Sequence, residues 1–270
     1  MRRIYTSLLT TLSVFQATQA HGQHHNPLAA FGVLPSTVRG DPVPFSLRVP
    51  NHELKRLPTL AGLAEIAPPS WYSLNADATN GTFGLSRDWL VHAQDVWVND
   101  FDWRAHERRF NALPNYKVNV TAADQLFELH FAALFSARPD AVPVILMHGW
   151  PGSWLEFVPV LERLAAKYTP DTLPYHVIVP SIPDYGLSSR PRHGLERELT
   201  LPAASAAMNA LMVALGFDAY VAQGGDVGYA LAQFMCGAFD ECKAYHCLSY
   251  PPGLRHDGGE RLTLRETKKK

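Results

Sequence analysis

The run Val221-Ala222-Gln223-Gly224-Gly225-Asp226-Val227-Gly228-Tyr229-Ala230 decides how this chain is read. A short apolar stretch stops at two glycines, an aspartate follows, then a third glycine and a helix-like segment. Glycine on both sides of one acidic residue marks a strand-to-helix turn too tight for side chains beside its centre. Such a turn pushes the central side chain out beyond the end of the strand. It also sets that side chain at the start of the next helix, where the backbone dipole favours an anion. The pattern predicts a strand over 221–223, a helix from about 227 and Asp226 displayed between them.

The flanking sequence supplies the rest of a sheet. Residues 143–147 are a continuous apolar run, as a strand buried on both faces requires. The run stops at His148-Gly149-Trp150-Pro151-Gly152-Ser153. Ser153 and Glu156 read as a capping box opening an amphipathic helix through Trp154, Phe157, Val158, Leu161, Leu164, Ala165 and Tyr168. A strand over 175–179 follows, then the loop Pro180-Ser181-Ile182-Pro183-Asp184-Tyr185-Gly186. An alanine-rich helix over about 202–215 stops at Gly216. After Asp226 come a helix to about 239 and a strand over 244–249. This alternation is the signature of a doubly wound, mainly parallel α/β sheet. Ligands bind such sheets beyond the carboxyl ends of the strands. His148-Gly149-Trp150 and Gly225-Asp226-Val227 both lie at such ends, so they are expected to face one site. Upstream, residues 126–131 alternate, with Glu128 and His130 on a partly exposed face. His130 there reads as a surface or internally satisfied histidine.

Residues 21–70 are proline-rich and read as a meander, with a short strand over 45–49 and a short helix within 51–60. From Ser86, which can cap, Trp89, Ala93, Val96, Trp97 and Phe101 recur at helical spacing, and a second helix is expected over 103–110. Core packing is the simplest reading of these tryptophans. Residues 1–20 read as a signal peptide: Arg2-Arg3, a moderately apolar stretch over 4–15, and a Thr18-Gln19-Ala20 cleavage site. The sequons Asn80-Gly81-Thr82 and Asn119-Val120-Thr121 fit a secretory, glycosylated product, secreted or held in the ER lumen. No stretch reaches transmembrane length.

Composition bounds the remaining classes. The 270 residues are 47% hydrophobic and 18% charged, enough to bury a sizeable core. A net charge of −1 without a basic block argues against a nucleic-acid partner. The twelve histidines show no ligand spacing, so no metal is expected. Cys236, Cys242 and Cys247 do not make a disulfide scaffold; a local bridge or free thiols on a helix and a strand both fit.

The chemistry follows from aspartate at the turn. A carboxylate is anionic at neutral pH and attacks without a base. On an acyl carbon it would give a reactive anhydride. On a saturated carbon carrying a leaving group it gives a stable alkyl ester, which points to epoxides or alkyl halides. Hydrolysis of that ester needs an oxyanion hole, and the backbone amides of Trp150 and Val227 lie where such donors belong. His148, inside the strand-end turn, reads as loop support more than as a proton acceptor.

The chain resembles the microsomal-type epoxide hydrolases, in which an N-terminal extension precedes an α/β-hydrolase core. The resemblance spans roughly residues 43–250. It rests on His148-Gly149-Trp150-Pro151-Gly152-Ser153 with Glu156-Phe157, on the Pro180 to Gly186 loop, and on Gly224-Gly225-Asp226-Val227-Gly228. Residues 89–111 look like the extension's tryptophan-rich helices. The resemblance implies Asp226 as nucleophile, the Trp150 and Val227 amides as oxyanion hole, and His148, Gly149, Pro151 and Tyr185 as motif or substrate-binding positions. It implies a small apolar epoxide as substrate and no cofactor.

The sequence departs from that family in two places. Val227 stands where the family has tryptophan. The lid tyrosines, the acid and the histidine of the family, which follow the elbow, have no counterpart here. Tyr250, Asp257, Glu260, His246 and His256 take no family role. The expected division is a signal peptide (1–20), an extension (21–125), a partial α/β-hydrolase core incomplete at its C-terminus (126–250) and a divergent tail (251–270). The expected function is epoxide hydrolysis to a vicinal diol through an Asp226 ester, impaired by the missing groups. The alternatives are a non-catalytic binding or scaffold remnant and an aspartate-nucleophile dehalogenase. A serine esterase is disfavoured by Asp226 at the turn.

Overall fold

The protein is described by a computed structural model covering residues 26–75, 84–189 and 198–247. The expected signal peptide, the Asn80 sequon, Ser249, Tyr250 and the tail lie outside the described residues. A seven-stranded sheet organises the chain. Its strands are β1 (Val43–Pro44), β2 (Asn115–Ala122), β3 (Gln125–Leu134), β4 (Val142–Met147), β5 (Tyr175–Pro180), β6 (Tyr220–Gly224) and β7 (Cys242–Cys247), in the order β1-β2-β3-β5-β4-β6-β7. The contacts among β5, β4, β6 and β7 are parallel, and those among β1, β2, β3 and β5 antiparallel.

Eight α-helices are described: α1 (Asn51–Leu54), α2 (Arg56–Leu63), α3 (Trp71–Leu74), α4 (Arg87–Asn99), α5 (Trp103–Ala112), α6 (Val158–Lys167), α7 (Leu201–Ala214) and α8 (Val227–Ala238). Alternating sheet residues feed two cores, as the two-residue period of a strand dictates. Ile178 joins Phe127, Leu129, Ile145 and Met147 beneath Met208 and Leu211 of α7 and Leu231 and Met235 of α8. Val177 and Val179 face the other way, against Val158 and Leu161 of α6, Trp154 and Phe110. With helices on both faces, the architecture is that of an α/β-hydrolase fold with a mostly parallel sheet.

Several expectations need correction. The alternation of residues 45–49 is real, but no strand forms there; β1 ends at Pro44. Phe45 N–H still donates to the Asn115 carbonyl, yet Leu47 exchanges two hydrogen bonds with the Asn111 side chain and Val49 N–H reaches Glu107. The extended segment is thus paired with side chains of α5 and not with a strand. β2, which was not expected, precedes the strand expected over 126–131 and forms a full hairpin with β3. The division expected at 125/126 therefore falls inside one hairpin. His130 on β3 is fully buried, not on a partly exposed face. Ser153 caps a short 3-10 turn (Trp154–Phe157) before α6, instead of opening α6 through a capping box. α4 packs on α2, where Gln94 donates to the Ala61 and Ala64 carbonyls, but Trp89 and Trp97 remain about half exposed. Cys236 of α8 and Cys242 of β7 are bridged, and Cys247 is free.

Candidate active site

β4 and β6 are neighbours, with Met147 opposite Gly224. The chain leaves β4 for β5 on one side and later crosses to β6 on the other. The carboxyl ends of β4 and β6 therefore meet at the point where strand order reverses, the place where such sheets bind ligands. This brings His148-Gly149-Trp150 beside Gly225-Asp226-Val227.

The turn after β6 is as tight as its glycines suggested. A Cβ at Gly224 would overlap the backbone of Gly228, and one at Gly228 would overlap the carbonyls of Met147 and His148. The backbone of α8 thus passes directly against the ends of β4 and β6. Asp226 sits at φ 52°, ψ −120°, a conformation that L-residues adopt only when the surroundings impose it. It occupies the N-cap of the twelve-residue α8. Its carboxylate thus lies at the positive end of the helix.

Two amides hold that carboxylate. Trp150 N–H donates to Asp226 Oδ1 at 2.8 Å. The N–H groups of Trp150 and then Val227 keep the carboxyl below the ordinary carboxylate range, against a smaller opposing desolvation. Gly149 makes the approach possible, because a Cβ there would stand 2.8 Å from the Asp226 Cβ. The Trp150–Pro151 peptide is cis, and Trp150 is 69% exposed as a residue while its backbone N–H points inward to Asp226.

An open depression of about 670 Å³ lies over this carboxylate. Of the sequence-derived candidates, Gly149, Trp150, Pro151 and Asp226 line it; Met147, Phe157 and Val160 add apolar wall. Met147 and Phe157 had been read only as core positions, and Val160 had not been singled out.

His148 and Tyr185 lie behind the site. The His148 Nε2 accepts the Ile182 N–H at 3.2 Å, so Nδ1 carries the ring proton and donates to the Gly149 carbonyl at 3.0 Å. Burial lowers the affinity of this imidazole for a second proton, outweighing the Gly149 hydrogen bond and the Glu156 charge. With both nitrogens engaged, His148 braces the turn that presents the Trp150 amide. Tyr185 packs edge-on against His148, with ring centres 5.3 Å apart, and does not line the depression. Asn119 is exposed on β2, remote from the site. Among the described residues no cluster of His, Cys, Asp or Glu is arranged to hold a metal, and no helix is long and apolar enough to cross a membrane.

Comparison with known proteins places both halves. The family "Epoxide hydrolase N terminus" matches residues 42–157 and "alpha/beta hydrolase fold" matches residues 142–257. The solved structure of the Aspergillus niger epoxide hydrolase superimposes with a TM-score of 0.70 at 41% identity, covering 83% of this chain and 57% of that one. A Dothistroma septosporum relative is 38% identical over 247 residues, 90% of this chain and 57% of its own length. "Epoxide hydrolase 1" of Sus scrofa is 29% identical over 193 residues, 68% of this chain and 39% of its own. The chain spans little more than half the length of the first two. With the two family regions matched in order on one continuous sheet, the chain belongs to the epoxide hydrolases of the α/β-hydrolase fold.

Proposed function

We propose that the chain opens small apolar epoxides through a covalent ester on Asp226. The observation that carries this reading is the 2.8 Å hydrogen bond from Trp150 N–H to Oδ1 of a carboxylate displayed at a strand-to-helix turn. Oδ1 is held by the Trp150 amide, which leaves Oδ2 to attack. Its electron pair forms a bond to one epoxide carbon as the ring C–O bond on that carbon breaks. The ring oxygen leaves as an alkoxide and takes a proton from solvent water. Water then adds to the ester carbonyl carbon and gives up a proton to solvent, and the negative charge gathers on Oδ1, to which the Trp150 N–H already donates, with the Val227 N–H beside the same carboxyl. Collapse returns the Asp226 carboxylate and releases a vicinal diol.

The same two amides serve both steps. In the resting state they keep Asp226 ionised; in the tetrahedral intermediate they stabilise the oxyanion. No movement of the donors is needed, which is the advantage of a preorganised site. The apolar walls of Met147, Phe157 and Val160 favour an apolar substituent on the epoxide.

The test is intact-mass analysis of the full chain incubated with styrene oxide, with diol measured in parallel. The expected result is a one-equivalent mass increase of one epoxide, diol formation, and at least a thousandfold loss of both in Asp226→Asn. Diol formation at the same rate in Asp226→Asn would overturn the proposal.

A further inference from the structure

We propose that Asn119 carries an N-linked oligosaccharide, acquired as the chain enters the secretory pathway. Asn119-Val120-Thr121 is the second of the two sequons in the sequence. It falls within β2, where the two-residue period of a strand puts Asn119 and Thr121 on one face and Val120 on the other. Val120 is buried in the core, whereas Asn119 and Thr121 are both exposed. A glycan added before folding is therefore left outside the core, and the hydroxyl that the sequon requires stands on the same face as the acceptor amide.

The surroundings leave room for a sugar. The Asn119 carboxamide makes no hydrogen bond among the described residues. Its neighbour across the β2–β3 ladder, Glu128, is taken by Lys117 Nζ at 2.6 Å. An open groove of about 370 Å³, lined by Asn119 together with Asp41, Phe45 and Lys117, lies beside it. β1 pairs only with Tyr116 and Lys117, so among the described residues no strand runs along the outer side of Asn119.

Two further observations support the route. Cys236 and Cys242 form a disulfide, and disulfides persist in the oxidising secretory compartments while they are rare in the cytosol. Arg2-Arg3, the apolar stretch over 4–15 and Thr18-Gln19-Ala20 supply the charged start, apolar middle and small-residue end of a secretory signal. The co-reactant is an oligosaccharide joined through pyrophosphate to a membrane polyprenol. Asn119 Nδ2 forms a bond to C1 of the first N-acetylglucosamine as the bond from C1 to the pyrophosphate oxygen breaks. The polyprenyl pyrophosphate leaves with that electron pair, and Nδ2 gives up one proton.

The test is expression of the full chain, with its own N-terminus, in insect cells, followed by peptide mapping before and after peptide N-glycosidase. That enzyme leaves aspartate wherever it removes a glycan from asparagine. The peptide spanning Asn119 should carry a glycan in most molecules and show the conversion only after the enzyme. Thr121→Val keeps Asn119 and suits a strand, yet should abolish the glycan; Thr121→Ser should retain it. Asn119→Gln, at an exposed position, should lose it and still fold. None of these readouts depends on the reaction at Asp226. An unmodified Asn119 in the full chain, or a modification that persists in Thr121→Val, would overturn the proposal.

Discussion

A Cβ on Gly149 would stand 2.8 Å from the Asp226 Cβ and 3.1 Å from its Oδ1. Gly149→Ala must therefore push the carboxylate away from the Trp150 amide. Displacements of about 1 Å at a reacting atom cost on the order of a hundredfold in rate, so ester formation on Asp226 should slow by about that factor. Single-turnover mass analysis measures it directly, and an unchanged rate would show that the turn relaxes without moving Asp226. The same hydrogen bonds set the pH dependence. Because the Trp150 and Val227 amides lower the Asp226 pKa, the attacking anion persists as pH falls through the ordinary carboxylate value of about 3.9. Ester formation should stay level from pH 7 to pH 5, whereas a group with a raised pKa would already lose rate there. At this scale the sequence was informative wherever backbone geometry dictated residue type. Gly224, Asp226 and Gly228 could be read because a tight turn admits few alternatives. Tyr185 could not, because a motif position does not tell whether a ring faces the cleft or props the histidine behind it.

Glu107 on α5 is buried, yet it accepts from the Val49 N–H at 2.8 Å, from Trp103 Nε1 at 3.3 Å and from Arg104. Burial alone would raise its pKa. The hydrogen bonds from Val49, Arg104 and Trp103 outweigh that effect and hold it below the usual value. Arg104 in turn donates to the Val49 carbonyl and the Asn51 side chain. One helix thereby holds an irregular segment that has no strand partner. Glu107→Ala leaves Arg104 and the Val49 amide without their shared acceptor and should cost about 2–3 kcal/mol. Urea unfolding followed by Trp103 fluorescence measures it, and a cost under about 0.5 kcal/mol would show that the segment is held from elsewhere. This is why residues 45–49 misled: their alternation correctly reported one inward face, and only the partner was wrong. The β2–β3 hairpin was missed for a different reason. Its turn places Ala123 and Asp124 at φ 48° and 57°, where Asn-Gly or Asp-Gly is the usual signal. Central strands such as β4 need no such signal, because burial on both faces writes itself as an unbroken apolar run.

Across the whole molecule, the parallel half of the sheet was legible from strand-helix alternation, while of its antiparallel flank only β3 was. That flank is where the charged and polar groups of β2 and β3 turn inward, and it shapes the molecule's response to acid. His130 is fully buried between Asn115 Oδ1 at 3.1 Å and Ser181 Oγ at 3.0 Å. The Asn115 amide nitrogen already donates to the Phe110 and Leu113 carbonyls, so its oxygen takes the proton of His130 Nε2 and the Ser181 hydroxyl donates to Nδ1. Burial, with a smaller contribution from the Lys117 charge, pushes the His130 pKa down to about 3. Between about pH 6.5 and pH 3 the unfolded chain binds a proton that the native state refuses. Folding stability must therefore fall with pH across that window, by about 1.4 kcal/mol per unit for this one residue. His148 and His176, whose pKa values burial also lowers, act in the same direction. Carboxylates with depressed pKa values add their losses only below about pH 4, so the histidines dominate from pH 6.5 to pH 5. Unfolding free energies measured in urea at pH 7, 6 and 5 should decline steadily. His130→Gln, which keeps one hydrogen-bonding amide in the pocket, should lower the pH 7 value but flatten the slope. A stability that is level from pH 7 to pH 5 would mean that His130 takes up its proton within the fold.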